Sequence, residues 1–317
     1  MTVAIDAMGG DNAPSTIVEG SVLAAKQGNV NILLVGDQDI VENELSKHDS
    51  ESLPITIVPS NGKIEDTEAP ALGLRQKPKA SIVVATHLVK SGQADAVVSM
   101  GSTGATMASA VVLLGTIDGI DRPAIGGPIV GSAPNQVILD LGSNLDCRPQ
   151  QLVGFGVLGS VFSKVLLKIS DPKIGLLSVG SEEGKGNAQI KEATELFKKS
   201  GLTFIGNVEG NDLVTGKADI VVCDGFVGNV VLKLVEGLSM SLANQLQTAL
   251  TNSSMPSEIV SNLMNKLVSE NNVVESRGGG PIFGVNGVSI IGHGSANAGT
   301  VQRAVEMASM CVSSKLI

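Results

Sequence analysis

The sequence predicts an α/β protein with a mostly parallel sheet, and three observations carry that prediction. Strand-like and helix-like segments alternate along all 317 residues, the pattern that lays helices on the faces of a parallel sheet. Hydrophobic residues make up 43% of the chain, enough at this length to bury a large core. A strand–glycine–helix unit is also spelled twice: Gly92–Ala105 reads GQADAVVSMGSTGA and Gly216–Asn229 reads GKADIVVCDGFVGN. The copies share Gly92/Gly216, Ala94/Ala218, Asp95/Asp219, Val97/Val221, Val98/Val222, Gly101/Gly225 and Gly104/Gly228. Each runs from a β-branched stretch through glycines into helical spacing, the signature of a buried strand turning sharply into a helix. The first N–H groups of such a helix lack intrahelical partners and lie at the positive end of its dipole, which suits an anion such as phosphate. The same turn also serves packing alone in many α/β domains.

Taken in chain order, the first expected strand is Val3–Asp6. The helix Pro14–Gln27 follows, opening on a proline with Asn12 or Ala13 as its cap. Short β-branched or aliphatic runs predict strands at Val30–Val35 and Ile55–Val58, with helical spacing at Ile40–Lys47 between them. The helix Ser81–Lys90 leads into the first repeat, with strand Ala96–Ser99 and helix Thr103–Leu114. Strands Ala124–Val130 and Val137–Asp140 precede a helix opened by proline, Pro149–Lys168. Strand Ile174–Ser178, helix Ala188–Lys199, strand Thr203–Ile205 and strand Ile220–Cys223 complete the alternation up to the second glycine turn. Strand Val288–Ile291 and helix Ala296–Ser313 close the chain. No linker or low-complexity stretch cuts it, so a single domain over 1–317 is expected.

One region departs from the alternation. From Val227 to Glu275 the spacing is helical throughout (Val227–Thr248, then Ser257–Ser269), broken only near Ser253-Ser254-Met255-Pro256. Two such helices predict a hairpin excursion at about 230–275. In its second arm Ile259, Val260, Leu263, Met264, Leu267 and Val268 make one apolar stripe. That stripe either packs on the first arm or meets a subunit partner or a membrane interface. With Lys266 its one basic residue, electrostatic attraction to anionic lipid is weak.

Composition excludes several classes. No uninterrupted apolar run reaches the ~18 residues of a membrane span, and MTVAIDAMGG shows no basic region ahead of its apolar run, so no secretion signal is read. Cys147, Cys223 and Cys311 are odd in number, far apart and without zinc spacing, which fits a reducing cytoplasm and no structural metal. A net charge of −9, with no Trp or Tyr for base stacking, argues against nucleic acid. The basic runs at Arg75, Lys77 and Lys79 and at Lys185, Lys191, Lys198 and Lys199 are either solvated faces or docking points for an acidic partner.

Single motifs settle less. Gly154-Phe155-Gly156-Val157-Leu158-Gly159 matches the dinucleotide pattern, but Pro149 has already started a helix there, so the glycines serve close packing rather than pyrophosphate. Gly180-Ser181-Glu182-Glu183-Gly184-Lys185-Gly186-Asn187 is one residue short of a phosphate-binding P-loop, and Gly186 stands where its Ser or Thr would be. What survives is a glycine-rich loop carrying Lys185, an ammonium that either contacts an oxyanion or sits in solvent. No G-x-S-x-G elbow occurs. His293 follows a strand and is either a site-lining donor or a structural turn residue. Cys147 is either a thiolate near a helix N-terminus or a small apolar side chain at a junction.

Taken together, AIDAMGGDNAP (Ala4–Pro14), ADAVVSMGSTGA, LDLGSNLDC (Leu139–Cys147), GSEEGKGN, FIGNVEGND (Phe204–Asp212), DIVVCDGFVGNVVLK (Asp219–Lys233) and GVNGVSIIGHGSANA resemble the phosphate acyltransferase family, the acyl-(acyl-carrier-protein):phosphate transacylases, from end to end and in motif order. The resemblance implies a three-layer α/β/α fold of the isocitrate and isopropylmalate dehydrogenase type, and a homodimer without cofactor or metal. It implies transfer of a fatty acyl group from acyl carrier protein to inorganic phosphate, giving acyl phosphate for phospholipid synthesis. It places the protein in the cytoplasm against the inner membrane surface, touching it through Ile259, Leu263 and Leu267, beside a membrane acyltransferase that consumes acyl phosphate. Lys185 and Asn229 match the family's catalytic lysine and asparagine. Asp6, Gly9, Gly10, Gly101, Thr103, Gly104, Asn144, Asp224 and His293 are expected around the same cleft. A short-chain phosphotransacetylase using acyl-CoA is the competing reading.

Overall fold

The computed structural model describes residues 1–252, 256, 258–264 and 277–316. The chain forms two compact units, Met1–Pro123 with Arg277–Ile317, and Ala124–Ser276.

The first unit is built on β1 (Thr2–Asp6), β2 (Asn31–Gly36), β3 (Ile55–Pro59) and β4 (Ala96–Ser99). A returning hairpin, β10 (Gly280–Phe283) and β11 (Val288–Ile291), joins them in the order β3-β2-β1-β4-β11-β10. All neighbours are parallel except β10 against β11. Strand residues alternate between faces. Ala4, Val35 and Val97 meet Ile82, Val83, Ala85 and Leu88 of α4 (Ser81–Lys90) and Leu74 of α3 (Pro70–Gln76) in one buried cluster. The other face is covered by α1 (Ser15–Lys26) and the C-terminal helix α9 (Ala298–Ser313), which pack on each other. The helix α2 (Gln38–Leu45) lies between β2 and β3, and α5 (Thr103–Ser109) continues as one π-helical turn, Ala110–Leu114. The strand β10 and the helix α3 were not expected from the sequence. Glycines and prolines weaken the strand signal of GPIF, and PALGLRQ is too short for periodicity to register.

The second unit carries β5 (Ala124–Gly127), β6 (Val137–Leu139), β7 (Ile174–Leu177), β8 (Phe204–Val208) and β9 (Ile220–Val222), in the order β5-β6-β9-β7-β8. Only β5 runs antiparallel to its neighbour. On one face lie α6 (Pro149–Val165) and α7 (Ala188–Lys199). Inside α6, a methyl group on Gly156 would sit 2.6 Å from the Phe197 ring and one on Gly159 2.8 Å from Ile220, so these two glycines of the dinucleotide-like pattern serve packing, as expected, whereas Gly154 has open space where its Cβ would be. On the other face Ile138, Val221 and Val208 pack with Val231, Leu232 and Val235 of α8 (Gly225–Thr251).

At 27 residues, α8 is about 40 Å long by the helical rise. By length and composition alone it is apolar enough to cross a bilayer, although Lys233 and Glu236, paired at 2.9 Å, interrupt the run. Beyond the first turns Leu238, Met240, Leu242 and Leu246 are exposed. After the polar break, residues 258–264 are helical. Their apolar stripe divides: Val260 and Met264 are buried, whereas Ile259 and Leu263 are 49% and 44% exposed. Leu267 lies outside the described residues.

Candidate functional site

In each unit the expected site residues sit where three parallel strands end side by side. This carboxyl edge is where open α/β sheets bind ligands, because the loops leaving it are free of the ladder. In the first unit the strands are β1, β4 and β11. Asp6 ends β1 beside Ser99, whose hydroxyl donates to its carboxyl at 2.8 Å, while the Gly101 N–H donates to the same hydroxyl at 3.0 Å. A Cβ on Gly9 would lie 2.8 Å from the Gly101 nitrogen, so the two glycine turns touch through bare main chain. Burial pushes the Asp6 carboxyl up, opposed by hydrogen bonds from the Ser99 hydroxyl and the Met8 and Gly9 N–H groups.

From β11 the loop His293-Gly294 reaches the same corner. The Asp11 N–H, next to Gly10, donates to the Gly294 carbonyl at 2.8 Å. His293 is exposed, and its Nδ1 accepts from the Ser295 N–H at 3.4 Å, with the Ser295 hydroxyl 2.9 Å away. Thr103 and Gly104 open α5 under a Ser102 cap. Gly104 backs onto Pro70, where a Cβ would come within 2.6 Å, so helix packing explains that glycine.

In the second unit the three strands are β6, β9 and β7. Their order brings Asn144, Asp224 with Asn229, and Lys185 onto neighbouring loops. The centre of the first two is a residue that sequence reading passed over, Asp140. It is fully buried. Its Oδ1 accepts from the N–H groups of Ile125 (3.2 Å), Gly142 (3.2 Å) and Ser143 (3.1 Å) and from the Ser143 hydroxyl (2.6 Å). Its Oδ2 accepts from the Asn144 N–H (2.6 Å) and side-chain amide (2.9 Å). The loop so fixed presents the Asn144 carbonyl to the Gly225 N–H at 2.7 Å. Gly228 lies so close to the Asp140 carbonyl oxygen that no side chain fits between them. The exposed Asn229 side chain then lies over Gly142, where a Cβ would be 3.3 Å from its Oδ1.

The internal repeat therefore extends beyond the two segments that spell it. In β1/β4 Ile5 pairs Val98, and in β6/β9 Leu139 pairs Val222, so Asp6 and Asp140 follow equivalent positions. A buried aspartate at the end of a strand, ahead of a glycine loop, was the available signal. The helix starts differ. Thr103 opens the first, whereas Gly225 opens the second two repeat positions earlier. In the second copy Asp224 caps the helix by accepting from the Val227 N–H at 2.8 Å, and Gly225 is already bonded to Asn144. Two of the donors that the sequence offered to an anion are thus taken. In the first copy the Thr103 and Gly104 N–H groups have no acceptor among the described residues.

Cys147 donates its thiol to the Asn144 carbonyl at 3.3 Å. Burial, and next the Asp140 carboxylate, push it up to about 11, so it stays a thiol and the nucleophile reading loses its support. Lys185 is exposed on the loop after β7 and folds over Gly180, where a Cβ would meet its Cγ at 3.1 Å.

Two α/β units with glycine turns at the carboxyl ends of parallel strands define the class: an α/β fold of phosphotransacetylase and dehydrogenase type. A phosphotransacetylase from Streptococcus pyogenes superposes with a TM-score of 0.66 at 19% identity, covering 98% of this chain and 94% of that one. A 4-hydroxythreonine-4-phosphate dehydrogenase from Klebsiella pneumoniae gives 0.58 at 13%, covering 98% of both chains. At sequence level, the model of a family described as fatty acid synthesis protein matches residues 1–317. The phosphate acyltransferase of Pelotomaculum thermopropionicum is 45% identical over all of this chain and 93% of its own length. That of Cyanothece sp. is 43% identical over 98% and 91%. The chain belongs to this fatty acid synthesis protein family, the family of the phosphate acyltransferases.

Proposed function

We propose that the protein is a transferase that moves a fatty acyl group from the thioester of acyl carrier protein to inorganic phosphate, releasing acyl phosphate for phospholipid synthesis. The observation that carries this reading is the 45% identity over the whole chain to a protein named phosphate acyltransferase. A phosphate oxygen attacks the thioester carbonyl carbon. The tetrahedral oxyanion then collapses with loss of the carrier thiolate. Phosphate is itself a competent nucleophile, so the protein's task is to position it and to stabilise the oxyanion. Lys185 supplies an ammonium donor and Asn229 a side-chain amide. The buried Asp140 network holds the ground on which Asn229 stands, and the N–H groups of Thr103 and Gly104, which have no acceptor among the described residues, suit an anion.

The protein works as a homodimer in the cytoplasm, at the inner membrane surface, and hands acyl phosphate to a membrane acyltransferase. The exposed apolar side chains Ile259 and Leu263, and Leu238, Met240 and Leu242 along α8, support an apolar contact there. Purified protein given palmitoyl-acyl carrier protein and phosphate should form acyl phosphate that hydroxylamine traps as a hydroxamate. Activity on acetyl-CoA with none on the carrier-protein thioester would replace this reading with the short-chain one.

A further inference from the structure

We propose that Asn207, on β8, is the positioning residue that holds the Lys185 loop in its working shape. The inference rests on the reading of Lys185 as the group that meets phosphate or the oxyanion.

The loop between β7 and α7 has little of its own to define it. Gly184 and Gly186 both have positive φ, and within the loop the Lys185 N–H donates to the Glu182 carbonyl at 3.1 Å. Among the described residues, two side chains anchor it from outside. One is Lys198 of α7, which pairs with Glu183 and with Glu195. Both carboxylates are well exposed there, and exposed ion pairs contribute little to holding a geometry. The other is Asn207. Its side-chain amide donates to the carbonyl of Glu182 and to the carbonyl of Lys185 itself, each at 3.3 Å. Asn207 is only 7% exposed, and buried hydrogen bonds resist competition from water. The same NH₂ group thus spans both ends of the turn that presents the lysine.

The backbone of β8 is shaped to put it there. Ile174 pairs Phe204, but Leu176 pairs Asn207, so β8 carries one extra residue across that step. Gly206 sits in the extra stretch at φ +93°. No neighbouring atom lies within 4 Å of a Cβ built on it, so crowding does not demand glycine at this position. The positive φ does. A slip of one residue turns a strand side chain to the opposite face of a sheet, and bulges re-aim side chains in this way beside functional sites. With an unbroken ladder, Gly206 would stand opposite Leu176 and Asn207 would point away from the Lys185 loop. Among the described residues the Asn207 Oδ1 is buried with no hydrogen-bond donor, a cost accepted for a side chain whose NH₂ group is the part that matters.

The test is a double-mutant cycle on the full-length enzyme: Asn207→Ala, Lys185→Ala and the double variant, with phosphate and palmitoyl-acyl carrier protein varied separately and unfolding midpoints recorded. Misplacing Lys185 should lower kcat/KM for phosphate about 10- to 100-fold in Asn207→Ala. The KM for the thioester should stay within about twofold. Because Asn207 acts through Lys185, the double variant should be no slower than Lys185→Ala alone. Asn207→Asp keeps the shape but turns an oxygen toward the two carbonyls. Its activity, read well below the unfolding midpoint, should be low and should recover as pH falls and the acid regains a proton to donate, and the midpoint should rise over the same range. This variant carries the test if Asn207→Ala does not fold. Full activity in Asn207→Ala or a pH-independent Asn207→Asp, beside an inactive Lys185→Ala, overturns the positioning role and leaves Lys185 standing. Additive losses in the double variant overturn it as well. Full activity in Lys185→Ala overturns the reading of Lys185 itself, and the inference with it.

Discussion

Replacing Asp140 by Asn changes one atom in the most densely bonded position of the second unit. The six donors divide unequally, four on Oδ1 and two on Oδ2. The new amide group therefore settles at the Oδ2 position, where it displaces fewer partners. There its NH₂ faces the Asn144 N–H and side-chain amide, donor against donor, at distances of 2.6 and 2.9 Å. Each buried donor left without an acceptor costs about 1–3 kcal/mol. Partial relaxation of the exposed end of the loop brings the total to about 3 kcal/mol. For a protein of this size that corresponds to a fall of about 4–5 °C in the unfolding midpoint. The loop also carries the carbonyl that caps Gly225, so Asn229 should shift with it and the transfer rate at 25 °C should fall while the protein is still folded. Calorimetric unfolding together with hydroxamate trapping of the product reads both effects. An Asp140→Asn protein that melts within a degree of wild type and works at full rate would refute the whole account of this loop.

Lys185→Ala and Asn229→Ala should each fold normally and lose about 10²–10³ in rate, as for a removed oxyanion donor; full activity in both would take them out of the chemistry. Cys147→Ala should retain activity, and the native thiol, pushed up to about 11, should react slowly with iodoacetamide at neutral pH. The glycines of α6 should part company in calorimetry. Gly154, with open space where its Cβ would be, should gain about 0.5–1 kcal/mol on becoming alanine. Gly156, facing the Phe197 ring at 2.6 Å, should lose about 1–3 kcal/mol. The raised Asp6 carboxyl contributes stability that is complete in acid, where it is protonated in both folded and unfolded chains, and that fades as pH rises through its folded-state value. Unfolding midpoints of wild type relative to Asp6→Asn should therefore fall as pH climbs from the acid side toward neutrality; a difference that does not change with pH would remove the burial argument.

The alternation of strands and helices, the doubled glycine turn and the placing of the dinucleotide-like glycines inside a helix were all legible in the sequence, because they depend on side-chain period and on residues within one or two turns of each other. Ser81–Lys90 and Ala188–Lys199 even keep their expected ends, since their apolar faces stop where the spacing does. What the chain could not reveal by itself concerns neighbours far apart in sequence. Asp140 reads as an ordinary acidic residue after the strand residues Val137-Ile138-Leu139 until β6 and β9 pair and bury it among six donors. Asn207 reads as one more polar residue in FIGNV until the extra residue at Gly206 turns it toward a loop 22 residues earlier. The apolar stripe of the second hairpin arm is continuous in sequence, yet tertiary packing buries Val260 and Met264 and leaves Ile259 and Leu263 in solvent. Period and propensity are properties of a few consecutive residues. Burial, hydrogen-bond satisfaction and the aim of a side chain are set by strand order and register, which exist only once distant segments have met.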